Sequence, residues 1–254
     1  MLNETLGLGP WQWVVAALGA LMVGISKTGI TGLSVLFVAM FAAVFPSTKQ
    51  ATGIVLPLLI FGDFVAVYSY RRHMQWKHLG KLFPWTAAGV VAGFLAMRII
   101  SDHTARMLIG AIIVGLAALS YWLRSRKSAA EQSPALAHWG VGAGVGILAG
   151  FTTLVANAGG PLMAIYFVSM RLPKMEFVGT AAVFFCLLNL FKVPFMVDLG
   201  LITPASFELN LILAPLVFAG ALTGRWLLPR INQRLFEEIV LALSTAAGFL
   251  LLLK

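Results

Sequence analysis

GISKTGITG, Gly24–Gly32, interrupts an apolar run that extends from Trp11 to Phe45. A helix crossing a bilayer core of about 30 Å needs about twenty residues. A run this long is therefore either one kinked crossing or two shorter helices that turn back on each other at the break. A lysine at mid-bilayer costs about 2.5–3.5 kcal/mol on insertion scales, and glycines loosen a helix. How the break is read decides the fold.

The rest of the chain says that lipid is the right frame. Of 254 residues 60% are hydrophobic and 11% charged, and the mean hydropathy is +0.93. A soluble domain carries about a quarter charged residues. The apolar segments lack period-two alternation, which excludes a barrel and leaves an all-α polytopic bundle. The formal charge of +9 resides between apolar runs rather than on one face. It reads as a topology signal and not as a nucleic-acid surface. The amino terminus MLNETLGLGPWQW has no basic n-region, so the first apolar run is expected to stay in the mature fold. The single cysteine, Cys186, has no partner for a disulfide or zinc site.

A second long run, about residues 137 to 170, is broken at TTLVANAGGP, Thr152–Pro161. Between the two lies SRKSAAEQSP, Ser125–Pro134, the one polar stretch of any length. Sliding one half over the other aligns Gly24 with Gly150, Phe41 with Phe167 and Asp63 with Asn189. After about five extra residues in the second half, Gly89 and Gly93 meet Gly220 and Gly224. The pattern predicts a duplication: a first repeat over 1–124, a cytoplasmic linker over 125–136 and a second repeat over 137–254.

Basic residues choose between kinked crossings and hairpins. If each broken run folds back, the loops containing Arg71–Lys81, Arg124–Lys127, Arg171–Lys174 and Arg225–Arg234 share one side and carry twelve Lys and Arg. Lys49, Arg98, Arg106 and Lys254 face the other. Single crossings would divide the same residues eight against eight. The positive-inside rule favours the hairpins. Each repeat is then a broken, re-entrant helical hairpin followed by three transmembrane helices, and the second repeat is inverted with respect to the first. Inverted repeats with broken helices are an architecture in which transporters hold substrate near the midplane.

A helix broken inside the membrane exposes unpaired N–H groups and a positive dipole end, which suit an anion. The first break offers Ser26, Lys27, Thr28, Gly29 and Thr31; the second offers Thr153, Asn157, Gly159 and Gly160, with Pro161 suited to begin the returning helix. Glycines and threonines also serve plain helix packing, but packing needs no lysine. Asp63 lies at the middle of GIVLPLLIFGDFVAVYSY, and Asn189 at the equivalent place in AAVFFCLLNLFKVPF, with Lys192 on the same helical face. Such residues either form a structural ion pair or neutralise a substrate, with Asp63 in a coupling or charge-balancing role. His73, His78, His103 and His138 show no metal-ligand spacing, and no phosphate-loop spacing is present.

GISKTGITG, GFTTLVANAGGPLMAIYF and FVGTAAVFFCLLNLFKVPF, in this order, resemble the TauE/SafE (sulfite exporter) family over about residues 12 to 253. The first break departs from the consecutive glycines that many members carry. The resemblance implies transport of sulfite or small organosulfonates across the bacterial cytoplasmic membrane. The resulting expectation is a secondary transporter of small anions, with no cofactor, no enzyme activity and no nucleic-acid partner. Its partners are the anion, the lipid bilayer and protons as a coupling ion. An anion channel or uniporter, and a carrier of small carboxylates, remain alternative readings.

Overall fold

Lipid cannot hydrogen-bond a backbone, so a chain of this composition must satisfy its amides within helices. The structure, a computed structural model, describes residues 8–28, 33–125, 139–160, 162, 163, 166 and 174–227, and every regular element among them is helical. In chain order these are α1 (Pro10–Lys27), α2 (Leu33–Val44), α3 (Thr48–Tyr70), a 3-10 turn (Arg71–His73), α4 (Trp76–Ile99), α5 (Asp102–Ser125), α6 (Trp139–Ala156), α7 (Lys174–Asp198) and α8 (Pro204–Leu227). Four of the described helices are long and apolar enough to cross a membrane: Thr48–His73, Leu79–Ile99, Met175–Asp198 and Pro204–Trp226. The third helix expected after the second hairpin lies outside the described residues.

The helices sort into inner and outer sets. α3 is the most buried of the four spans and α4 the least. The outer faces of α4 and α8 carry exposed Val91, Leu95 and Ile99, and Leu211, Phe218 and Leu222. An apolar exterior around a partly polar interior is what a lipid solvent selects.

α1 and α2 run antiparallel. Gln12, on the first turn of α1, accepts from Gly9 N–H at 2.6 Å and donates from Nε2 to the Val44 carbonyl at the far end of α2, at 2.8 Å. Midway along, Gly19 lies against the Phe41 ring. In the second half the chain also doubles back, since Gly142 near the start of α6 faces the ring of Tyr166. The polar cap at the start of α3 ties it to the following helices: Asp102 Oδ1 accepts from Ser47 Oγ at 2.6 Å and from Lys49 N–H at 3.2 Å. Lys49 Nζ donates to the Met97 carbonyl at 2.9 Å.

α3 and α7 lie antiparallel, with Asp63 opposite Asn189 and Gly179 against the backbone at Tyr70 and His73. Around this pair each broken-run helix packs on a helix from the opposite half: α1 on α8 and α6 on α4. Glycines make both seams. Gly24 faces the backbone of Val217 and Ala221, while Gly220 and Gly224 face Leu21 and Ile25. Across the other seam Gly150 faces Thr86 and Val90, while Gly89 and Gly93 face Ile147 and Phe151. The glycines paired by sliding the sequence thus occupy corresponding contacts.

At Gly24 and Gly150 even a Cβ would overlap a carbonyl oxygen of the neighbouring helix. Gly24→Val or Gly150→Val is expected to cut the yield of monodisperse protein severalfold in detergent size-exclusion profiles. Gly115→Ala, where an added Cβ meets open space, should leave the yield unchanged; equal yields from all three would discount the seams.

Candidate functional site

The two breaks end their helices differently. α1 closes at Thr28, whose N–H and Oγ1 both donate to the Ile25 carbonyl, at 3.3 Å each. Ser26 Oγ donates to the Val23 carbonyl at 2.7 Å. The hydroxyls expected to face a ligand are therefore turned back on their own helix. α6 ends in a left-handed residue: Asn157 has φ +49° and its N–H donates to the Thr153 carbonyl at 3.0 Å. Asparagine tolerates that conformation better than other side-chain-bearing residues. Gly159 tucks against the Ala149 carbonyl and the Thr153 side chain, and Met163 N–H donates to the Gly159 carbonyl at 3.1 Å, so Gly160 lies at the start of a new helical turn.

Lys27 is the last residue of α1, and its stem lies over Gly62, where a Cβ would crowd it. Its ammonium sits 2.7 Å from Asp63 Oδ1 and 5.3 Å from the centroid of the Phe185 ring. α3 continues beyond Asp63 to Tyr70, about two further turns or 10 Å. The end of α1 thus stops short of the end of α3, and Tyr70 Oη reaches back to donate to the Thr28 carbonyl at 3.4 Å.

From Asp63 a chain of buried polar groups runs toward the second break. Asn189 Nδ2 donates to Asp63 Oδ2 at 2.6 Å. Lys192 Nζ donates to Asn189 Oδ1 at 3.1 Å, to Asn157 Oδ1 at 2.7 Å and to Thr153 Oγ1 at 3.3 Å. Asn157 Nδ2 donates onward to the Thr52 carbonyl at 2.8 Å. Both amide orientations follow from chemistry, because each NH₂ faces a group that can only accept and each oxygen then faces the ammonium. Asp63 and Lys192 are both 0% exposed.

The charges do not cancel. Lys27 and Asp63 form an ion pair, while Lys192 has three neutral oxygens and no carboxylate among its bonded partners. Oxygen dipoles solvate an ammonium but leave its charge in place. An uncompensated buried charge is expensive, and a bound anion would relieve it.

A cavity of about 230 Å³ opens where α3, α4 and α7 end, lined by Lys49, Met97, Arg98, Asp198, Leu199 and Leu201. It lies one helical turn from Thr52, whose Oγ1 donates to the Lys49 carbonyl at 2.7 Å. The polar chain that starts at Lys27 therefore ends beside this opening.

Of the residues singled out in the sequence, Lys27, Asp63, Thr153, Asn157, Asn189 and Lys192 are linked in this chain. Ser26 and Thr28 stand beside it with hydroxyls engaged, and Gly159 and Gly160 shape the second break. Gly29 and Thr31 lie outside the described residues. Sequence reasoning missed Thr52 and Tyr70: one acts through its carbonyl, which no residue type advertises, and the other lies near a helix end, where tyrosine is ordinary.

A family model, "Sulfite exporter TauE/SafE", matches residues 16–251. The chain belongs to the TauE/SafE family. It is accordingly a multi-pass membrane protein of an anion-transporting, sulfite-exporter kind. Neither the curated proteins nor the solved structures gave a significant match. Within this TauE/SafE chain, both breaks and the Asn189–Lys192 segment fall inside the matched region.

Removing one member of a buried ion pair strands the other, at a cost of about 3–5 kcal/mol. Lys27→Met should lower the thermal unfolding temperature markedly, and adding Asp63→Asn should recover most of the loss. A single variant as stable as the parent would show that the pair contributes nothing to the fold.

Proposed function

We propose that this TauE/SafE chain is a secondary transporter of small anions, sulfite or organosulfonates, in the bacterial cytoplasmic membrane. The anion binds between the two broken-helix ends, near the midplane, against Lys192, Asn157, Thr153 and Asn189. One observation carries the reading: Lys192 is wholly buried with only neutral oxygens around its ammonium. Lys27, held by Asp63, keeps the other break closed and balanced. Asn157 Oδ1 and Asn189 Oδ1 repel an anion, so binding requires Lys192 to turn its charge from these oxygens toward the substrate.

Alternating access fits an architecture of two inverted re-entrant repeats, residues 1–124 and 137–254 joined by a cytoplasmic linker at 125–136. Supporting it are the antiparallel packing of α3 on α7, the doubling back of both broken runs and the matching glycine seams. An axis relating two antiparallel equivalent helices lies across them, hence in the membrane plane if they span it. Binding energy realised in only one of two conformations is what shifts such an equilibrium.

The direct test is ligand-induced stabilisation of the purified protein with methanesulfonate as the probe. A ligand at a hundred times its Kd raises stability by about 2.7 kcal/mol, readable as a thermal shift. Lys192→Met should abolish that shift; a shift of parental size would reject Lys192 as the anion's partner.

Topology gives an independent check. In a Cys186→Ala background, Thr203→Cys should react with an impermeant maleimide in intact cells and Ser128→Cys should be protected. Single kinked crossings place both on the same side, so equal labelling would overturn the inverted hairpins.

A further inference from the structure

The two halves hold the same geometry with different charges. The residue 126 positions after Asp63 is Asn189, and the two side chains bond each other. By the same spacing, Thr153 stands in the second half where Lys27 stands in the first. The ion pair of one break is thus a neutral pair in the other. The second half takes its ammonium instead from Lys192, one turn beyond Asn189, where the first half has Ala66. The groups around Asp63 are Lys27 from α1 and Asn189, Lys192 and the Cys186 thiol from α7. Two ammonium groups against one carboxylate leave the cluster with one positive charge in excess.

Resting on the anion reading above, we propose that this excess sets the valence of the substrate, and that Asp63 is the residue that determines it. A monoanion, such as a sulfonate or singly protonated sulfite, brings the buried cluster to neutrality. A dianion leaves one negative charge buried, which is disfavoured for the same reason as the original positive one. It can be balanced only by a proton on Asp63, so a dianion enters together with one proton and a monoanion with none. Asp63 influences selectivity through Asn189 and the total charge, without having to touch the substrate.

Methanesulfonate and sulfate separate the effects of charge and shape, since both present a tetrahedral sulfur with oxygens of similar size. With the purified full chain in detergent, calorimetric titration should give at least a tenfold preference for methanesulfonate. In buffers of different ionisation enthalpy, sulfate binding should take up about one proton and methanesulfonate binding none. Asp63→Asn, which raises the cluster to two positive charges, should invert the preference toward sulfate. Asn189→Asp, which brings it to zero, should weaken both. The double variant Lys27→Met/Asp63→Asn restores a single charge and should restore the preference for methanesulfonate, a test that survives if Asp63→Asn alone folds poorly. Equal affinities in the parent protein, proton-free sulfate binding, or an unchanged ratio in Asp63→Asn would overturn the valence rule while leaving the site intact. Failure of both anions to bind the parent would instead remove the site itself, and the rule with it.

Discussion

The hydrogen bond from Asn189 to Asp63 is the contact on which the interior is organised. It joins equivalent positions on α3 and α7, the pair at the centre of the molecule, and it works in both directions along a polar chain. Its NH₂ group satisfies the carboxylate oxygen that Lys27 leaves over, and its carbonyl helps solvate Lys192. Take the amide away and two charges lose a partner together. In an interior with no water to replace the lost bonds, that dependence is severe. The glycines, the helix ends and the packing of the halves all serve to bring this one pair into register.

Duplicated membrane proteins can keep both copies identical in chemistry, yet this chain does not. It preserves shape between the halves while replacing an ion pair by threonine and asparagine. A perfectly symmetric interior with two ion pairs would carry no excess charge and offer an anion nothing. Breaking the symmetry in charge alone creates an attractive place without altering the fold that frames it. The lone carboxylate limits that attraction, because two free ammonium groups side by side would repel one another as well as draw in an anion.

Much of this was legible in the residues because apolar background gives polar residues contrast. Both breaks stand out in their runs, and the match of Asp63 to Asn189 needed only a shift of one half over the other. Gly24 and Gly150, aligned by the same shift, turned out to make corresponding contacts. What the sequence could not carry was pairing. Lys27 and Lys192 look alike as lysines in apolar helices, and only their neighbours distinguish a neutralised charge from a free one. Ser26 and Thr28 present hydroxyls in any listing of side chains, but a hydroxyl can return to a carbonyl three residues back, and here both do. Thr52 acts through its backbone, so no pattern of side chains would have revealed it.

The glycine seams have a mechanical meaning. Because α1 is locked to α8 and α6 to α4 by direct backbone contact, neither half of the polypeptide is free to swing by itself. A stiff body in this protein is a hybrid, assembled from the start of one half and the later part of the other. The covalent connection between halves is then incidental to the motion, while the sliding surface must fall where side chains rather than bare backbones meet. That describes the boundary between α3 and α7, where the charged cluster is seated.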